Sequence, residues 1–270
     1  MVSIVQQVFE REQGNGRNIG WKYNCCLGAL DLGIQKEGIA EQMKYRDIRR
    51  AKFIKRPNRF IARVELEGKE EIVHVKNTGR CREIFVEGTT VILEKSDNPN
   101  RKTKYSVIGG YKGDLLINTD SQVPNSVVHG ALADNKIIEI PGIVHIKREV
   151  TFGDSRFDIY FETGAEKGFI EVKGVTLENN GICSFPDAPT QRGIKHVYEM
   201  IKAVEMGYRG YIFFLVQMEG MKYFIPNDET DPVFGRALRE AHQAGVDILV
   251  YDSLVKEDEI LIGKRLDYYL

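Results

Sequence analysis

The chain has 270 residues, 42% of them hydrophobic and 29% charged, and a net charge of −1. That suits one large or two smaller globular domains with an ample core, and no apolar run is long enough for a membrane span. No basic stretch followed by an apolar segment opens the chain, so a secretory signal is not expected and the protein reads as cytoplasmic.

The near-neutral total hides an asymmetry. Residues 43–125 carry 18 Lys and Arg against 11 Asp and Glu, whereas residues 126–270 carry 16 against 23. The excess is densest in Met43–Arg63, where nine basic residues face Asp47 alone. A basic front half and a carboxylate-rich rear half suit a polyanion-binding platform beside a metal-dependent centre. Cys25, Cys26, Cys81 and Cys183 have neither C-x-x-C nor zinc-finger spacing, and reduced thiols are expected.

In chain order, residues 1–42 hold a glycine-rich turn region, the lone Trp21 and a weakly helical stretch at Gln35–Gln42. They read as a loosely packed N-terminal extension, with Met43-Lys-Tyr-Arg-Asp-Ile resembling a natural start. Short alternating segments follow: Phe60–Leu66 and Glu71–Val75 about Gly68, then Val91–Glu94, Tyr105–Gly109 and Leu115–Ile117. About five strands over residues 43–122 suit a small OB-like barrel, a fold that binds single strands through basic grooves and aromatic platforms. Arg56, Arg59, Arg80, Arg82, Lys102 and Lys104 are the phosphate-contact candidates, with Phe53, Phe60 and Tyr105 as platforms or core.

Residues 123–270 read as α/β. Ser126–Asn135 is expected to be a helix capped by Asn125. Next come Arg156-Phe-Asp158 and Glu171-Val-Lys173, two alternating strands joined by a Thr163–Gly168 link that suits an antiparallel hairpin. Folding symmetrically about that link sets Asp158 opposite Lys173, with Glu171 diagonal. Mg²⁺ or Mn²⁺ held by Asp158, Glu171 and the Val172 carbonyl would polarise a phosphodiester, with Lys173 orienting water or stabilising developing charge. The plainer reading is a cross-strand Asp158–Lys173 ion pair with Glu171 solvated.

Phe185–Pro189 is a loop, after which Thr190 caps a helix whose apolar face runs through Ile194, Val197, Ile201 and Val204 to Gly207. Arg192 and Lys195 at its start are further nucleic-acid candidates, and His196 is either an acid–base group or a structural histidine. Arg156 and Asp187 would form a salt bridge in the structural reading of this loop. Tyr211–Val216 is expected as a strand buried on both faces, and Pro232–Gln243 as a helix leading to the strand Val246–Tyr251 in a right-handed parallel crossover.

The run Glu149-Val-Thr-Phe-Gly153-Asp-Ser-Arg156-Phe-Asp158, Glu171-Val-Lys-Gly-Val-Thr176 and Phe185-Pro-Asp187-Ala-Pro-Thr190-Gln-Arg192-Gly193-Ile-Lys195-His196 resembles the sugar fermentation stimulation protein A family. Arg56-Pro-Asn58-Arg59-Phe60, His74-Val-Lys-Asn77-Thr78-Gly79-Arg80, Pro124-Asn125, Asp231-Pro-Val-Phe234 and Ala241-His-Gln-Ala-Gly245-Val246 extend the resemblance over residues 44–252. It implies a small OB-like barrel followed by a PD-(D/E)xK nuclease-like mixed sheet flanked by helices. It also implies DNA binding without sequence preference and a link to regulation of sugar (maltose) metabolism. Carried over, the nuclease pattern falls on Asp158, Glu171 and Lys173, with Glu149 as a further acid. One departure is Gly130, where relatives often have a helical glutamate.

The expected function is a DNA-binding protein whose nuclease-like domain hydrolyses phosphodiesters with Mg²⁺. The alternatives are a non-catalytic regulatory or architectural DNA-binding protein, and a phosphodiesterase acting on RNA or nucleotides.

Overall fold

The computed structural model describes residues 43–77 and 79–270. Trp21, Cys25, Cys26, the Gln35–Gln42 stretch and Thr78 lie outside the described residues.

Strand β1 (Met43–Lys44) precedes five strands that wind into a barrel: β2 (Ile48–Asn58), β3 (Ile61–Leu66), β4 (Lys69–Val75), β5 (Thr90–Lys95) and β6 (Tyr105–Lys112). They run antiparallel in the order β4-β3-β2-β5-β6, and a short parallel contact of β4 with β6, His74↔Ser106 and Val75↔Val107, closes the cylinder. Glu67 and Gly68 both have positive φ, the requirement of a type I′ turn, whose twist matches the β3–β4 ribbon. Val64, Val73, Val91, Leu93 and Val107 point inward and are fully buried. Phe53 and Tyr105, read as possible platforms, are also core; Phe53 stacks on Phe85, and only Phe60 of the three is exposed. Strand β7 (Leu115–Asn118) pairs back onto β6.

Helix α1 (Val123–Ala133) starts earlier than the expected Ser126, because Pro124 in its first turn has no N–H to lose and carries a helical φ. Asn125 is therefore inside the helix and is not its cap. Next come β8 (Ile143–Phe152), β9 (Ser155–Thr163), β10 (Lys167–Val175), β11 (Leu177–Asn179), β12 (Ile182–Phe185), α2 (Gln191–Glu205) and β13 (Arg209–Val216). Then follow β14 (Tyr223–Pro226), α3 (Pro232–Gln243), β15 (Asp247–Lys256), β16 (Glu259–Arg265) and β17 (Asp267–Tyr268).

The main mixed sheet has seven strands in the order β1-β16-β15-β13-β10-β9-β8, with β10, β13 and β15 parallel at its centre. Alternation along β13 divides its two cores: Ile212, Phe214 and Val216 pack with α2 and α3, while Tyr211, Phe213 and Leu215 pack with α1. Burying each such side chain contributes about 1.5–3 kcal/mol. Helix α2 is capped by the Thr190 side chain, which accepts from Gly193 N, and ends at Gly207 with φ 88°. A small second sheet, β11-β12-β14-β17, was not expected from the sequence. Its strands are two to four residues long, too short for a period-2 signal.

The β9–β10 hairpin corrects the expected register. Thr163 N donates to Glu166 O, so the turn centres on Gly164-Ala165 and Gly168 belongs to the strand. Shifting that centre by one residue shifts the pairing by two. The ladder runs Lys167↔Glu162 to Ile170↔Ile159, and Asp158 comes across from Glu171 rather than Lys173.

Candidate active site at the end of the central hairpin

The pairing of β9 with β10 stops one step before Asp158, and the Asp158 carboxylate takes over the ladder's role. Its Oδ2 accepts from Val172 N at 2.8 Å, and its Oδ1 accepts from Asn125 Nδ2 of α1 at 2.6 Å. Across from it, Glu171 is 2% exposed. Its Oε1 accepts from Lys173 Nζ at 2.5 Å and lies 2.5 Å from His196 Nδ1 of α2. Its Oε2 is buried with no hydrogen-bond partner among the described residues. Glu171 and Lys173 thus share the α2 face of β10, while Val172 between them faces the α1 core.

The two acids are tuned apart. Burial raises the Asp158 pKa, and the neighbouring Glu171 charge adds to that, outweighing the Val172 hydrogen bond and Lys173. Burial also acts to raise Glu171, but Lys173 and His196 together outweigh it, and its pKa lies below the ordinary carboxylate value. Among the described residues no three His, Cys, Asp or Glu side chains form a metal cluster; Asp158 and Glu171 are the two carboxylates that could hold an ion here. Mg²⁺ typically takes one or two carboxylates and completes its shell with water and substrate phosphate. The unpartnered, buried Glu171 Oε2 fits such an ion, since an orphaned buried carboxylate oxygen otherwise costs stability.

Glu149 is placed differently. It stands between the pairs Arg148↔Ile159 and Val150↔Phe157, across from Asp158, but its φ of 55° puts its backbone in the left-handed region within β8. Its exposed carboxylate pairs with Arg156 Nη1 at 3.3 Å. That also removes the expected Arg156–Asp187 bridge; Asp187 Oδ2 instead accepts from Arg80 N at 2.8 Å and Cys81 N at 3.3 Å. Gly130 lies on α1 five residues beyond Asn125, about 140° round the helix, so it does not share the face that holds Asp158.

The basic candidates separate by role. Arg56 is half-buried, and its two terminal nitrogens donate to the carbonyls of Arg59, Asn77, Gly79 and Arg80, with the guanidinium over Phe85. It shapes the loop and has no terminal N–H left for a phosphate. Arg59, Arg80, Arg82, Lys102 and Lys104 are exposed on the barrel. Lys104 borders a surface cavity of about 400 Å³ with Lys95 and Arg101. On α2, Lys195 Nζ donates to Asp154 O, and exposed Arg192 lies 3.4 Å from His196 Nε2. Phe157 meets the His196 ring edge-on.

A second cavity, of about 390 Å³, opens beside the site. The barrel loop at Asn77 and Gly79 forms one wall, the Phe185–Thr190 loop another, and Gly174, Thr176 and Gln217 the floor. Sequence reasoning missed Asn125 and Gln217. The Pro-Asn step was visible, but its use as a clamp on Asp158 depends on where α1 begins. The buried thiols Cys81 and Cys183 are unbridged, and burial pushes both up to about 12.

Two family models cover this architecture: the sugar fermentation stimulation protein N-terminal OB domain matches residues 54–119, and the sugar fermentation stimulation protein RE domain matches residues 122–259. The chain belongs to the sugar fermentation stimulation protein family. A homologue from Alkaliphilus oremlandii is 56% identical over 230 residues, spanning 83% of this chain and 98% of that one. One from Clostridium beijerinckii is 52% identical, spanning 84% and 100%. The solved structure of the family protein from Pyrococcus furiosus, in complex with Ca²⁺, superposes with a TM-score of 0.78. That protein is 26% identical, and the match covers 85% of this chain and 99% of that one. No helix among the described residues is long and apolar enough to cross a membrane.

Proposed function

We propose that this protein binds DNA largely without sequence preference and hydrolyses its phosphodiester bonds with Mg²⁺ or Mn²⁺ at Asp158 and Glu171. The observation that carries the reading is the unpartnered Glu171 Oε2, buried beside an Asp158 whose two oxygens are already fixed by Asn125 and Val172. A divalent ion there would polarise the scissile phosphate and lower the pKa of a bound water. Lys173 Nζ stands beside Glu171 as the positive charge that orients that water or meets the developing phosphorane charge. His196 holds Glu171 Oε1 from α2, as a positioning residue rather than a proton donor to substrate. The Pyrococcus protein was solved in complex with Ca²⁺, which supports a divalent-ion site in this family.

The barrel supplies the polyanion platform, through Arg59, Arg80, Arg82, Lys102 and Lys104, and Arg192 and Lys195 extend it near the site. A role in sugar metabolism is carried by the family name and enters as part of this reading. The test is cleavage of single-stranded, duplex and branched DNA, RNA and mononucleotides in Mg²⁺ by wild type and Lys173→Ala. DNA cleavage lost in the variant supports the proposal. DNA that stays intact but is bound leaves a binding module, and preference for RNA or nucleotides moves the substrate class.

A further inference from the structure

We infer that the 390 Å³ cavity beside the site receives one unpaired nucleobase of the DNA strand being cut, so that single-stranded or frayed DNA is the preferred substrate. This rests on the reading of Asp158 and Glu171 as the hydrolytic centre. The cavity floor includes Gly174, three residues along β10 from Glu171, or about 10 Å at the rise of a strand. It is therefore within reach of a nucleotide close to the scissile phosphate.

Size and lining agree with a base. The volume lies at the low end of the ~300–1,000 Å³ range of small-ligand pockets, too small for a base pair with its backbones. Phe185 and Pro186 give apolar walls, while Asp187, Asn77 and Gln217 give polar ones. The Asp187 carboxylate is fixed by the backbone N–H groups of Arg80 and Cys81. A carboxylate only accepts hydrogen bonds, so it pairs with base amino and imino groups and repels phosphate. Arg59, also on the cavity lining, is the group suited to the backbone.

Two glycines hold the walls at their spacing. A Cβ on Gly79 would come within 2.5 Å of Asp187 Oδ2, and one on Gly174 within 2.4 Å of Gln217 Oε1. The recognition groups thus sit directly against bare backbone, and any side chain there would force them out of place. A duplex can fill this pocket only by extruding a base, which costs unstacking and unpairing energy that a single strand does not.

The test measures binding in Ca²⁺ of a 20-nucleotide single strand, its duplex, and the same strand made abasic throughout. Wild type is compared with Ala188→Trp and Ser184→Leu, which enlarge two residues of the cavity lining. Wild type is expected to prefer the base-bearing strand over the abasic one by about tenfold, the scale of a single base contact. Both variants are expected to lose that preference while melting like wild type. Folded variants that keep the wild-type ratio overturn the inference, as does a wild type indifferent to the bases. Cleavage in Mg²⁺ is read separately: cleavage without base preference defeats this inference alone, and base preference without cleavage defeats the hydrolytic reading alone.

Discussion

Asn125 of α1 donates its side-chain amide to Asp158 of β9 at 2.6 Å, tying the first helix of the C-terminal domain to an acid at the open end of the central hairpin. Because Val172 N fills the other oxygen, the carboxylate is oriented before any substrate arrives. On the hydrolytic reading, Asn125→Ala is expected to lower Mg²⁺-dependent cleavage about tenfold, and on any reading stability by ~1 kcal/mol, the worth of one such hydrogen bond. Cleavage kinetics and a denaturant titration check the two effects. Unchanged kinetics would mean that Asp158 needs no clamp.

Removing the Asp158 charge should not destabilise the metal-free protein. Its carboxylate is half-buried and repelled by Glu171, so Asp158→Asn is expected to melt at or above the wild-type temperature in EDTA at neutral pH. Mg²⁺ is expected to raise the Tm of wild type and leave that of the variant in place, because only a folded state that binds the ion gains from it. Calorimetry with and without Mg²⁺ decides this, and an equal Mg²⁺ response in both proteins would remove Asp158 from the ion site.

On the hydrolytic reading, His196 acts through its contact with Glu171. His196→Ala is expected to reduce cleavage about 10–100-fold, the usual loss when a metal ligand's supporting partner is removed, and to raise the Mg²⁺ concentration needed for half-maximal rate. A rate loss with no change in Mg²⁺ dependence would point instead to direct contact with substrate.

The arginines of the barrel should divide sharply. Arg56→Ala leaves four loop carbonyls without their donor and is expected to cost about 2–4 kcal/mol of stability. Arg82→Ala, on exposed surface, is expected to stay within about 0.5 kcal/mol of wild type. On the DNA-binding reading it also lowers the slope of log affinity against log salt by about 0.9 per lost phosphate contact. Paired denaturation and salt-titration measurements test both.

Acid should weaken the link between the barrel and the C-terminal domain. Lys112 of β6 donates to the Glu178 side chain of β11 and, at 2.8 Å, to its carbonyl. Burial opposes ionisation of Glu178, but the Lys112 hydrogen bond and the Gly181 N–H prevail, and its pKa is lowered. A depressed folded-state pKa contributes stability above the ordinary carboxylate value that is lost as pH falls through the folded value. Lys112→Met is therefore expected to lose stability near neutral pH and to converge on wild type as pH falls below the ordinary carboxylate range and through the lowered folded value. A constant offset at all pH values would assign the loss to packing alone.

Much of this was legible in residue order. Period-2 alternation located β3, β4, β9 and β10, a continuous apolar run located the doubly buried β13, and 3.6-residue periodicity with Thr190 and Gly207 bounded α2. The same alternation put Glu171 and Lys173 on one face, since neighbouring strand residues must point to opposite sides. What failed were properties that no local window contains. The hairpin register depended on which two residues made the turn, and a one-residue error there exchanged Glu171 for Lys173 across from Asp158.

Chemical type and periodicity determined which side chains were available, because they depend on neighbours a few bonds away. Tertiary structure decided their partners. Asn125 reaches Asp158 only because α1 packs across the sheet, and His196 reaches Glu171 only because α2 packs on the opposite face. Arg56 turned from a phosphate contact into a loop clamp for the same reason: the terminal N–H groups of a half-buried guanidinium are satisfied by whatever carbonyls the fold brings to them, and those came from residues 59–80.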